Sequence, residues 1–248
     1  MRRMFDRAGT LVLFTLALTL LVRPARATWS LILLDTHTGE IAIGSATCVA
    51  NIDLKRFLPV MPVGIGGACA QAQVDTTGAN RVLIWNQLRM GTDPAQILIL
   101  LEQQDLSHQR RQYGIVDMLG RAVTFTGSLT SAWAGGVTGQ QGTMVYAIQG
   151  NILTGAPVVQ MAEQAVLNPA NGDLPGRLMA AMEAARSMGG DGRCSCPGNP
   201  TGCGSPPPSF TKSAHVGFMV ISRAGDTDGS CTASGCATGN YFMDFNVA

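Results

Sequence analysis

The sequence predicts an α+β fold of four layers, αββα, in which two stacked sheets carry a helical pair on each outer face. Two observations carry this expectation. The predicted elements run strands, two helices, strands, two helices, strands, and segregated blocks of that kind stack as layers instead of winding as βαβ units. Setting aside a leader at residues 1–27 leaves 221 residues, the size of one ordinary domain spanning 28–248. A 46% hydrophobic share with only 13% charged residues excludes a disordered chain.

The first strand is expected at 29–34 and the second at 40–45, joined by the turn-like Asp35-Thr36-His37-Thr38-Gly39 into a hairpin. A glycine-rich run at 63–72 reads as a third strand. Val82, Leu83, Trp85 and Leu88 recur at helical spacing across 78–90, and Asp93-Pro94 caps a second helix reaching about Gln104. Residues 113–117 and 122–125 flank Met118-Leu119-Gly120-Arg121 as another hairpin. A strand follows at 144–149, ending in Gly150-Asn151. Two helices rich in alanine and methionine come next, at about 156–167 and 175–187. The segment 192–212 is rich in cysteine, proline and glycine, so it reads as a stapled insertion outside the core. Strands at 216–222 and 241–247 close the chain.

The leader has the anatomy of an export signal. Arg2, Arg3 and Arg7 form a positive start, residues 8–22 are apolar apart from Gly and Thr, and Ala25-Arg26-Ala27 is a small-x-small cleavage triplet. The apolar run of about 15 residues is short for the ~20 that a bilayer span needs. A secreted or periplasmic protein, with no membrane attachment after signal removal, is therefore expected. The leader holds five of the 17 basic residues and one of the 16 acidic ones. The remaining 12 and 15 leave a net charge near −3, which does not describe a nucleic-acid binder.

Seven cysteines in an exported chain read first as disulfide material. Cys194, Cys196, Cys203, Cys231 and Cys236 crowd into the last fifth and are the disulfide candidates. Cys48 and Cys69 stand apart, and the odd count leaves at least one thiol over. Four thiolates could instead hold zinc, but the spacing fits no standard finger or ribbon, so no metal and no cofactor are expected. Connectivity stays open.

Cleavage after Ala27 would make Thr28 the first residue, carrying a hydroxyl and a free α-amine. A threonine whose own amine adjoins it is an activated nucleophile. That amine titrates near 7.7–8.0 in the absence of perturbation, so a sizeable neutral fraction serves as base near pH 7. Asn151, following Gly150 at a strand end, is the candidate oxyanion donor, with backbone amides near Thr47 beside it. Asp191 could orient the amine or simply cap a turn. Arg193 could pair with Asp191 or hold a substrate carboxylate. His37, His108 and His215 are read as structural or solvated, and Asp226-Thr227-Asp228-Gly229 as an Asx turn, since most of a calcium loop is missing.

Several stretches also carry a resemblance: Thr28-Trp29-Ser30-Leu31-Ile32, Ala70-Gln71-Ala72, Arg111-Gln112-Tyr113-Gly114-Ile115-Val116-Asp117, Phe125-Thr126-Gly127, Trp133-Ala134-Gly135, Gln149-Gly150-Asn151-Ile152-Leu153-Thr154-Gly155 and Gly189-Gly190-Asp191 with Arg193. In order and spread they resemble the domain of unknown function 1028 family, which is similar to N-terminal nucleophile hydrolases. The resemblance implies the αββα sandwich of those hydrolases and a nucleophilic Thr28. Two departures stand out. Many members carry Ser-Lys where this chain has Thr47-Cys48, and residues 194–212 interrupt a pattern that resumes at Ser213-Ala214.

The resulting expectation is an exported amidohydrolase acting on an amide-type small molecule or peptide. Thr28 is the nucleophile, Asn151, Thr47 and Asp191 complete the catalytic set, and Gln71 and Arg193 contact substrate. The alternative is a secreted, non-catalytic binding module on the same fold. Assembly of copies through the helical layers is left open.

Overall fold

A computed structural model describes residues 28–248, so the export signal assigned to residues 1–27 lies outside the described residues. Ten strands fall into two antiparallel sheets among the described residues. The first sheet has the order β10-β9-β2-β1-β8-β7, built from β1 (Thr28–Asp35), β2 (Ile41–Thr47), β7 (Gly135–Gln141), β8 (Met144–Asn151), β9 (Val216–Ser222) and β10 (Met243–Val247). The second has the order β3-β4-β5-β6, from β3 (Pro59–Val60), β4 (Gly66–Ala72), β5 (Arg111–Asp117) and β6 (Ala122–Thr126).

Alternation along β1 explains how the sheets stack, because successive side chains point to opposite faces. Trp29, Leu31 and Leu33 meet Val158, Ala162, Leu178 and Ala181. The latter four belong to α4 (Pro157–Leu167) and α5 (Leu174–Ser187), which cover the outer face of the first sheet. Ile32 and Leu34 point the other way and join Ile41, Ile43, Cys69 and Val116 between the sheets. A third cluster sets Ala68, Tyr113 and Ile115 against Ile84, Leu88, Ile97 and Leu101. Those last four lie on α2 (Ala79–Arg89) and α3 (Pro94–Gln104). Each fully buried leucine or isoleucine in these layers contributes roughly 1.5–3 kcal/mol of transfer free energy.

Local chemistry sets the helix boundaries. Asp93 accepts from Ala95 N at 2.8 Å, and Pro94 occupies the first turn, where its missing N–H costs nothing. Asp173 caps α5 in the same way, accepting from Gly176 N at 3.0 Å. Two short helices, α1 (Leu54–Phe57) and α6 (Gly192–Ser195), complete the set.

Three expectations change. The strand expected at 63–72 is β4 and begins at Gly66, because Ile65 N and Gly66 N both turn back onto Pro62 O. β7 was not anticipated: Gly135-Gly136-Val137-Thr138-Gly139-Gln140-Gln141 has no apolar alternation, and pairing along β8 makes it a strand. The stapled segment is not wholly outside the core, since Gly192, Ser195 and Cys196 are buried. In the cysteine framework all five candidates are bonded, and Cys48, set apart in the sequence, joins them. Cys48 pairs with Cys194, Cys196 with Cys203 and Cys231 with Cys236, leaving Cys69 as the free thiol. Burial pushes the Cys69 thiol up to about 12, so it stays protonated and inert.

Candidate active site

Three polar residues end three neighbouring strands. Thr28 opens β1 and pairs in register with Asn151, the last residue of β8. On its other side β2 ends at Thr47, one step beyond the Trp29 to Ala46 pair. In the β alternation all three share a face with Ser30, Ser45 and Gln149, the face turned toward the second sheet. Thr28, Thr47 and Asn151 are buried.

A buried amide network lies directly beneath. Gln71 Nε2 donates to Thr28 O at 3.1 Å and to Gln112 Oε1 at 2.8 Å. Ser30 Oγ donates to Gln71 Oε1, and Gln149 Nε2 donates to Ser30 Oγ, both at 2.5 Å. Gln112 Nε2 closes the net on Gly150 O at 2.8 Å and Thr126 Oγ1 at 2.9 Å. Gln71 was expected to contact substrate, yet it is 1% exposed and both amide atoms bond within the protein. Its place is behind Thr28, as a support for the head of β1.

Backbone strain marks the same end of the sheets. Ala72 (φ 70°) directly follows Gln71, and Ile152 (φ 52°) directly follows Asn151. A β-branched residue in the left-handed region is rare and costs of order 1–3 kcal/mol, and such residues cluster at functional sites.

Asp191 and Arg193 form the outer wall. Gly189 (φ 100°) and Gly190 (φ 54°) turn the chain after α5, and Gly190 sits so close to the Trp29 ring that a Cβ would fall 2.6 Å from Cζ3. That turn delivers Asp191 fully buried as the N-cap of α6. Its Oδ2 accepts from Cys48 N at 2.6 Å and from Arg193 Nη2 at 2.7 Å, and its Oδ1 accepts from Arg193 Nε at 3.1 Å. Arg193 Nη2 also reaches Thr47 Oγ1 at 3.4 Å. The bidentate pair fixes a guanidinium beside the strand end at Thr47-Cys48.

The remaining candidates separate from this site. His108 is buried and its ring lies 4.1 Å from that of Phe125, while His37 is exposed. Asp226 Oδ2 accepts from Arg223 N at 2.8 Å and Phe242 N at 2.7 Å. Asp228 accepts from Val63 N at 2.6 Å and pairs with Arg89. Those carboxylates hold loops together. A groove of about 410 Å³, walled by Trp29, Met179, Met182, Ala214 and Phe245, opens on the opposite face of the first sheet.

The model of a family of unknown function, DUF1028, matches residues 28–196. This chain belongs to the DUF1028 family. The matched region opens on Thr28 and ends just past Arg193, so every residue of the site lies inside it, whereas 197–248 lie outside. The crystal structure of a Silicibacter pomeroyi protein from the DUF1028 family shares the fold, with a TM-score of 0.62 at 20% identity. That likeness covers 88% of this chain and 83% of the other. No curated protein matches. Among the described residues no helix is long and apolar enough to cross a membrane.

Proposed function

We propose that this DUF1028 protein is an exported hydrolase of amide-type bonds, with Thr28 as an N-terminal nucleophile released by removal of residues 1–27. The reading takes the two sheets and their helices as the αββα sandwich of N-terminal nucleophile hydrolases. Its chief support is the position of Thr28, which heads β1 between Thr47 and Asn151 with its carbonyl tied to Gln71.

In this reading Thr28 Oγ adds to the carbonyl carbon while its α-amine takes the hydroxyl proton. The Asn151 side-chain amide stabilises the oxyanion. The C–N bond then breaks, the proton passes to the leaving amine, and water hydrolyses the threonyl ester. Asp191 holds Arg193, and the guanidinium supplies the positive charge that favours the neutral amine.

Mass spectrometry of the exported protein, followed by labelling with a β-lactone, tests the proposal. The expected outcome is a chain starting at Thr28 that takes up one acyl group, with Thr28→Ala unlabelled. A mature chain that starts elsewhere, or a Thr28→Val variant that labels as wild type does, rejects the mechanism and leaves the secreted binding module.

A further inference from the structure

We infer that Cys48, Cys194 and His215 make a binding site for a zinc-class divalent cation when the Cys48–Cys194 disulfide is reduced. One ligand atom from each of the three lies within 4.8 Å of the others, and no second group of three such side chains converges among the described residues. Cys48 follows β2, Cys194 lies on α6, and His215 precedes β9, so three separate elements meet here.

Hydrogen bonds that do not involve the S–S bond hold all three backbones. Cys48 N donates to Asp191 Oδ2 at 2.6 Å, and Cys194 N donates to Asp191 O at 3.0 Å. His215 N donates to Thr47 O at 2.8 Å. These backbone ties do not depend on the S–S bond, so they remain available after reduction. Zinc–sulfur bonds of about 2.3 Å in a tetrahedron require the sulfurs roughly 3.7 Å apart. The Cα atoms stand 5.6 Å apart, and side-chain rotation alone supplies that opening. Both cysteines are half-buried and His215 is exposed, which gives reductant and cation a path. Lys212 Nζ, 3.5 Å from His215 Nδ1, sits on an exposed flexible stem and can swing clear.

The donor set is selective. Two thiolates and an imidazole suit zinc over calcium or magnesium, and three protein ligands leave a fourth position for water. In the redox step, an external phosphine gives the disulfide two electrons and becomes the phosphine oxide, while water supplies the oxide oxygen and the two thiol protons. The metal then displaces the two thiol protons.

The test uses the full chain without an affinity tag, reduced with a phosphine under anaerobic conditions and titrated with Co(II). One equivalent should bind, with a thiolate-to-cobalt charge-transfer band and tetrahedral d–d bands, and Zn(II) should displace it and raise Tm. His215→Ala should weaken binding at least tenfold while retaining all seven thiols, and His215→Cys should restore it with a three-thiolate spectrum. The oxidised protein should show neither band. Binding by His215→Ala that equals wild type would assign the metal to other cysteines and overturn the site. So would a reduced wild-type chain that Zn(II) neither occupies nor stabilises.

Discussion

Gln71 on the second sheet donates its side-chain amide to the backbone carbonyl of Thr28 on the first, at 3.1 Å. This bond ties the head of β1 to the opposite sheet, and Ser30, Gln112 and Gln149 complete the tie. A buried amide net is costly when incomplete, because each orphaned group carries its full desolvation penalty, about 1–3 kcal/mol.

Gln71→Ala should therefore destabilise the protein by about 2–4 kcal/mol, since Ser30, Gln112 and Thr28 O each lose a partner. Urea denaturation measures the loss. The neighbouring Gly114→Ala should act similarly, as its Cβ would meet Gln149 Oε1 at 2.1 Å and Gln149 is held by Ser30. Wild-type midpoints for both variants would show that the net carries no weight.

Arg193 should set the pH response of Thr28. A cation disfavours the protonated amine, so Arg193→Gln should raise the amine pKa and move the acid limb of the labelling rate to higher pH. Arg193→Lys should shift it less. The rate of β-lactone uptake against pH gives the answer, and coincident profiles for wild type and Arg193→Gln would remove Arg193 from the mechanism.

Asp105 should supply acid-sensitive stability away from the site. Burial alone would push its carboxyl up, but hydrogen bonds from Arg111, Asn80 and Ser107 outweigh that and hold it below the usual carboxylate range. A depressed folded-state value means the contribution is complete above the unfolded value, near 3.9, and is lost as pH falls through the lower folded one. Asp105→Asn should cost about 3 kcal/mol at pH 7 by leaving Arg111 without its charged partner. Urea midpoints should converge with wild type as the pH drops below about 4.

The Cys48–Cys194 bridge closes a long loop, with a sequence separation of 146. In the chain-entropy model a loop of about 100 residues or more gains roughly 4–5 kcal/mol from closure. The double variant Cys48→Ala, Cys194→Ala should lose about that much in urea denaturation, whereas removing Cys196 and Cys203, separated by 7, should cost less. Equal losses would contradict the loop-length dependence.

Elements with a local signature were legible in the chain. Asp93-Pro94 announced α3, the apolar run from Trp29 to Leu34 announced β1, and Val216 to Ser222 formed a strand as read. β7 was not, because a Gly- and Gln-rich segment becomes a strand only when β8 offers it a ladder. Within the site, Thr28 and Asn151 stood out as strand ends, and the ladder pairs them directly. Gln71 was noticed but given the wrong surroundings, since nothing local distinguishes an amide that meets solvent from one buried against the opposite sheet.

Residue order alone thus settled the block pattern of strands and helices, and it made Thr28 the opening residue of a strand. Those features come from periodicity and capping, which act over a few neighbouring residues. The partner of Cys48, the guanidinium at Thr47 and the meeting of Cys48, Cys194 and His215 were decided by the fold. Each joins residues of segments more than 140 positions apart, and the pairing of β2 with β9 and the turn at Gly189-Gly190 bring them together.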